Sequence, residues 1–159
     1  MANVFTSFAT AQNSASTDSS AAPNLKQAGG NLHFVQVSKT GYTAATADPL
    51  YLVRLPKGSR LIPQLCSVDY GDPGAACTGS IGYFTTADTP VVVDVDAFGT
   101  DLALGSAAGR KFFSEATTIG VDFLNPVTFT TDVWIVVTWT TVTTAVSHQQ
   151  SWNLAYTLG

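Results

Sequence analysis

The clearest periodic signal in the chain lies near its end. From Gln150 to Leu158, Trp152, Leu154, Tyr156 and Leu158 fall on one face of an extended chain, and Ser151, Asn153, Ala155 and Thr157 fall on the other. Period two with one polar face predicts a strand that buries one side and leaves the other wet or against a neighbouring subunit. The preceding run, from Asp132 to Val142, is apolar on both faces over much of its length. That predicts a strand covered on both sides. Shorter runs upstream repeat the theme. Residues 32–37 and 50–55 are rich in strand formers, and Pro56-Lys57-Gly58-Ser59 after the second is turn chemistry. Residues 60–68 contain Pro63, which predicts an edge strand or a bulge. Residues 78–84 carry Gly79 and Gly82, marks of bending or close backbone approach, and Pro90-Val91-Val92-Val93-Asp94-Val95 is a further strand. Residues 96–111 read as a loop with one short helical turn. Residues 117–123 resume the strand pattern, Asn125-Pro126 breaks it, and 127–129 read as a short strand.

Short strands at this spacing, with no convincing amphipathic helix, predict an all-β fold: an antiparallel β-sandwich or barrel. Roughly eight strands suit a jelly roll. Periodicity does not separate that from an immunoglobulin-like sandwich. The Cys…Trp…Cys spacing of immunoglobulin domains is absent, because Cys66 and Cys77 precede every Trp. Residues 1–30 stand apart from the sandwich domain at 31–159. Their middle, residues 11–22, is small and polar and cannot offset the entropy of ordering by burial. This predicts an extended N-terminal arm. It is either a terminus without a role or an arm that orders on a neighbouring subunit through Phe5 and Phe8.

Composition narrows the function. Charged residues make up 11% of the chain, against about 25% in an average domain. The surface is therefore left to Thr, Ser, Ala, Gly and Asn, which cost little to desolvate and suit large protein–protein contacts. A net charge of −4 with scattered cations argues against nucleic acid as a partner. No apolar run approaches the roughly 18 residues of a membrane helix, so no membrane partner is expected. The first residues lack a signal-peptide pattern, and synthesis in a host cytoplasm is expected. Cys66 and Cys77 flank a connection between strands and read as free, semi-buried thiols, since two Cys alone make no framework.

Candidate chemistry is sparse. His33 and His148 lie far apart, outside any zinc spacing. Asp94 and Asp96 share a strand face and, with Asp101, form a candidate calcium set; the stretch lacks the regular ligand loop, so solvated carboxylates are the preferred reading. There is one Glu, Glu115, no paired acids and no Gly-x-Ser-x-Gly elbow. The expectation is no enzyme, no metal and no cofactor. Trp134, Trp139 and Trp152 are the candidates for a glycan-stacking platform. However, Trp134 and Trp139 are five apart and point to opposite faces, and Trp152 belongs to an apolar face.

The segment Tyr51-Leu52-Val53-Arg54-Leu55-Pro56-Lys57-Gly58-Ser59-Arg60-Leu61-Ile62 resembles small virion structural proteins of tailed bacteriophages. In those proteins a strand, an Arg-Leu-Pro-Lys-Gly-small-Arg turn and an apolar strand are followed by a Gly-rich run, as at Cys77–Tyr83 here, and by a hydrophobic strand and a final Tyr-containing strand. The resemblance covers residues 45–159, strongly at 51–62 and loosely elsewhere. It implies a head decoration or cement protein on the capsid surface, a dimer or trimer of itself, with the major capsid protein as partner. The long polar arm and the two Cys depart from that group. On this reading Arg54, Lys57 and Arg60 pair with carboxylates across a subunit interface. Alternatives are a head-fibre, neck or tail component, or a glycan-binding β-sandwich module.

Overall fold

The computed structural model describes residues 4–5, 32–40, 48–141 and 148–158. Within them run β1 (Val4–Phe5), β2 (Leu32–Lys39), β3 (Pro49–Leu55), β4 (Arg60–Leu61), β5 (Ser67–Tyr70), β6 (Cys77–Thr85), β7 (Val92–Leu104), β8 (Gly109–Phe112), β9 (Thr118–Ile119), β10 (Val133–Trp139) and β11 (Gln150–Thr157). One sheet has the order β1-β3-β10-β6-β7-β9. The other has β2-β11-β5-β8, with β4 also paired to β11. Every pairing is antiparallel except β1 on β3, which is parallel. Setting aside the two-residue strands, the sheets read β3-β10-β6-β7 and β2-β11-β5-β8. The chain passes from one sheet to the other as a jelly roll does. The all-β sandwich read from the sequence is the observed architecture. Of the arm expected at residues 1–30, only Val4–Phe5 is described, adding to the edge of β3; Phe8 lies outside the described residues.

The core fills the space between the sheets. Leu50, Leu52, Leu55, Ile135, Val137 and Trp139 meet Val37, Val68, Trp152 and Leu154, all almost fully buried. A register shift places Leu52 as an extra residue on β3 opposite Ile135 and Val136. This bulge changes the phase of alternation, so Leu50, Leu52, Val53 and Leu55 all join the core while Tyr51 does not. The expectation that residues 132–142 are covered on both sides holds for β10. Its other face carries Trp134 and Val136, buried with Tyr51 and Phe84, whose rings meet edge to face at 5.8 Å.

The open face of the β11 sheet carries a polar cross-link beside the exposed Phe34. Gln36 Nε2 donates to Asn153 Oδ1 (3.0 Å), Asn153 Nδ2 donates to Asp69 Oδ2 (3.0 Å), and Arg110 forks onto both Asp69 oxygens. The Arg110 hydrogen bond holds the Asp69 carboxyl below the usual range. A chain of bonds thus crosses four strands on this face.

Some segments differ from the sequence reading. Residues 96–111 are not a loop with a helical turn: β7 continues to Leu104, and β8 follows. The pattern was hidden by a bulge, for Tyr83 pairs with Asp94 but Ile81 pairs with Gly99, leaving four residues of β7 opposite Gly82. Residues 117–123 keep only β9 as strand and then form a single helical turn, α1 (Val121–Leu124), which buries Phe123. Pro63 does more than bulge a strand. It opens a 3-10 turn, Pro63–Leu65, that divides residues 60–68 into β4 and β5.

Candidate functional site

The turn after β3 is built as its residues dictate. The Pro56 carbonyl accepts from Ser59 N–H (3.1 Å), and Gly58 sits at φ 88°, a conformation that glycine adopts without strain. Two further bonds fasten the turn to the chain before β10: Gly58 N–H to Phe129 O and Phe129 N–H to Ser59 O, both 2.9 Å. Residues 127–129, expected as a short strand, are therefore a brace lying along this turn.

Asp132 completes the clamp. One oxygen accepts from Lys57 N–H and the other from Arg54 Nη2, each at 2.8 Å. Burial would raise the Asp132 carboxyl, but the Lys57 amide and the Arg54 guanidinium outweigh it and hold it below its usual range. The structure thus gives Arg54 a partner inside the molecule, while Lys57 and Arg60 are exposed cations with no ion pair among the described residues. Sequence reasoning missed Asp132 and Phe129. They lie more than 65 positions from the turn, and no local spacing links them to it.

A group whose folded pKa is depressed stabilises the fold above its unfolded pKa, and this contribution fades as pH falls through the folded value. Asp132→Ala is therefore expected to cost about 1–2 kcal/mol at neutral pH. The gap from wild type should close as pH drops below about 4, the ordinary Asp value. Urea midpoints at pH 7 and pH 3 measure both.

The other candidates are dispersed or internal. Asp94 Oδ1 accepts from Asp96 N–H (3.2 Å) and Asp96 Oδ2 from the Thr100 hydroxyl (3.2 Å), but Asp101 turns to Thr140 (3.1 Å). The three carboxylates do not converge, and among the described residues no group of three or more His, Cys, Asp or Glu is placed to hold a metal ion. Burial, and then the proximity of Asp94, raises the Asp122 carboxyl. Cys66 and Cys77 are free, fully buried thiols, pushed by burial to about 12 and about 11, which suppresses the reactive thiolate. Glu115 is bound to Phe112 N–H (2.7 Å) and Lys111 (3.0 Å). All three Trp are at most 2% exposed, so none offers a face to a sugar.

His148 belongs to an internal relay. The Trp152 indole is a donor only, so its 3.0 Å partner on Gln150 is the carbonyl oxygen Oε1. The Gln150 amide nitrogen then faces His148 Nε2 at 3.2 Å, which makes that ring nitrogen the acceptor and places the ring proton of the neutral form on Nδ1.

The exposed surface is apolar in places. Phe34 is 68% exposed, Val91, Val92 and Val93 50–60%, and Val121 and Leu124 about 70%. No family model matches the chain, and no curated protein sequence matches it. In fold it is similar to a chain of the solved capsid of Ralstonia phage GP4, with a TM-score of 0.69, 15% sequence identity and 99% of each chain covered.

Proposed function

We propose that this chain is a structural subunit of a tailed-bacteriophage virion and, within that class, a head decoration or cement protein. The observation that carries the reading is the likeness in fold to a chain of a phage capsid, with a TM-score of 0.69 and 99% of each chain covered. The low charge and the exposed valines and aromatics suit contact with other subunits. Structural work of this kind needs no reactive group, and apart from Lys57 and Arg60 the titratable side chains described above are buried, mutually bonded or dispersed.

The proposed place is the outside of the shell, where major capsid protein subunits meet. A protein that binds the assembled lattice but not free or unfolded subunits stabilises the lattice by mass action. Bridging several subunits from one oligomer adds avidity without stronger individual contacts. The proposed contacts to neighbouring subunits are the arm aromatics Phe5 and Phe8 and the β3–β4 turn. There Lys57 and Arg60 meet carboxylates, and Arg54 supports them through Asp132.

Electron microscopy of purified particles is expected to show this chain on the shell, and shells without it should release DNA at lower temperature than decorated ones. Equal release temperatures would sink the cement role. A position at the neck, the tail or a head fibre would keep a virion role but move it.

A further inference from the structure

Three short turns stand beside the edge strands β8 and β9, and each faces two ways. The 3-10 turn Pro63–Leu65 buries Pro63 and leaves Leu65 51% exposed. A second 3-10 turn, Phe113–Glu115, buries Phe113, and Phe112 just before it is 45% exposed. The helical turn α1 buries Phe123 and exposes Val121 and Leu124, which are three apart and so share a face. Hydrogen bonds bring the turns side by side. Gln64 Nε2 donates to Phe123 O, and Phe113 N–H donates to Cys66 O (3.1 Å). A single exposed leucine is ordinary, but large apolar side chains on three adjoining turns mark a contact surface.

Beside α1 is a hollow of about 220 Å³, walled by Ile119 and Val121 and, on β7, by Asp94 and Asp96. Burial raises the Asp94 and Asp122 carboxyls, and the adjacent carboxylate, Asp96 for the first and Asp94 for the second, raises them further. None of these three carboxylates has an ion pair among the described residues. The other charges near the turns are mutually paired, Lys111 with Glu115 (3.0 Å) and Arg110 with Asp69. The surface is therefore apolar, with an acidic margin that nothing on it neutralises.

We infer that these turns dock a segment of a different protein, one that sets apolar residues on Leu65, Phe112 and Leu124 and a lysine or arginine beside Asp94 and Asp96. The aliphatic stem of that side chain lies along Ile119 and Val121, and its charged end reaches the two carboxylates. Charge complementarity selects the partner. A two-fold pairing of the surface with its own copy sets acid against acid, and nucleic acid is repelled for the same reason. The contact uses none of the residues proposed above for neighbouring subunits, and it stands without the virion role.

A display library of random short peptides, selected on the purified full chain, tests it. The enriched peptides are expected to join Lys or Arg to neighbouring apolar residues. Their Kd, read by fluorescence anisotropy, should rise at least about ten-fold on Leu65→Ser with Leu124→Ser, and on Asp94→Asn with Asp96→Asn. Added salt should weaken binding to the wild type more than to the Asn variant. Circular dichroism melts check that each variant keeps its fold. Val121→Ser, at a position 72% exposed, should weaken binding too and serves if an Asn variant melts early. No enriched peptide, enriched peptides without a cation, or affinities indifferent to all these changes would each overturn the inference. So would self-association of the chain through these same residues. A chain that selects such peptides but is absent from purified particles would sink the virion reading and leave this contact standing.

Discussion

Trp152→Ala is expected to lower the stability of the domain by about 3–5 kcal/mol, which can exhaust most of the roughly 5–15 kcal/mol that holds a domain of this size together. Trp152 is 1% exposed on the central strand of its sheet, and its ring meets Phe113 edge to face at 6.1 Å. Truncation leaves a hole lined by both sheets, in a place where neither can collapse without moving β11. It also strands Gln150 Oε1, which is fully buried and takes its hydrogen bond from the indole. Trp152→Phe separates the two effects. It keeps much of the volume, loses the N–H, and should cost about 1–3 kcal/mol for the unpaired carbonyl, plus the smaller packing change. Urea unfolding followed by circular dichroism reads both variants. A Phe variant as unstable as the Ala variant would show that the hydrogen-bond relay outweighs the packing.

Gly82→Ala should be nearly as damaging, through backbone rather than side chain. A Cβ at Gly82 would lie 2.0 Å from Asp94 O and 2.5 Å from Val95 C. Those are main-chain atoms of the bulge in β7, so no side-chain rotation relieves the clash. The bulge must move, and it holds Ala97 and Phe98 in the core. Overpacking of this kind typically costs about 1–3 kcal/mol and occasionally more. The fixed backbone partner argues for the upper end. Hydrogen exchange should show protection lost first across β6 and β7 and retained in β2 and β11. Gly71→Ala, where the nearest atom is 3.6 Å away, is the control expected to leave stability nearly unchanged.

How far the sequence could be read follows from where each segment's partners lie. Residues 150–157 and 133–139 were legible because one strand alternates and the other is apolar throughout, and burial enforces both patterns locally. Strand β7 was not, because its bulge breaks the period and its polar residues, Asp94, Asp96 and Thr100, bond to one another as loop residues do. The turn at Lys57 was legible from Pro56 and Gly58. Its fastening by Asp132 and Phe129 was not, since those residues come from the distant chain before β10 and reach the turn only through the pairing of β3 with β10.

The row of bonds from Gln36 through Asn153 and Asp69 to Arg110 has a consequence for assembly of the chain itself. It fixes pairing from the wet side, while Trp152, Leu154 and Tyr156 fix it from the dry side. Were β11 to zip one residue out of step, indole and phenol rings would turn to solvent and both rungs made by Asn153, to Gln36 and to Asp69, would lose their mates together. Misaligned pairings are thus penalised on both surfaces at once, and the nascent sheet has little reason to linger in any of them.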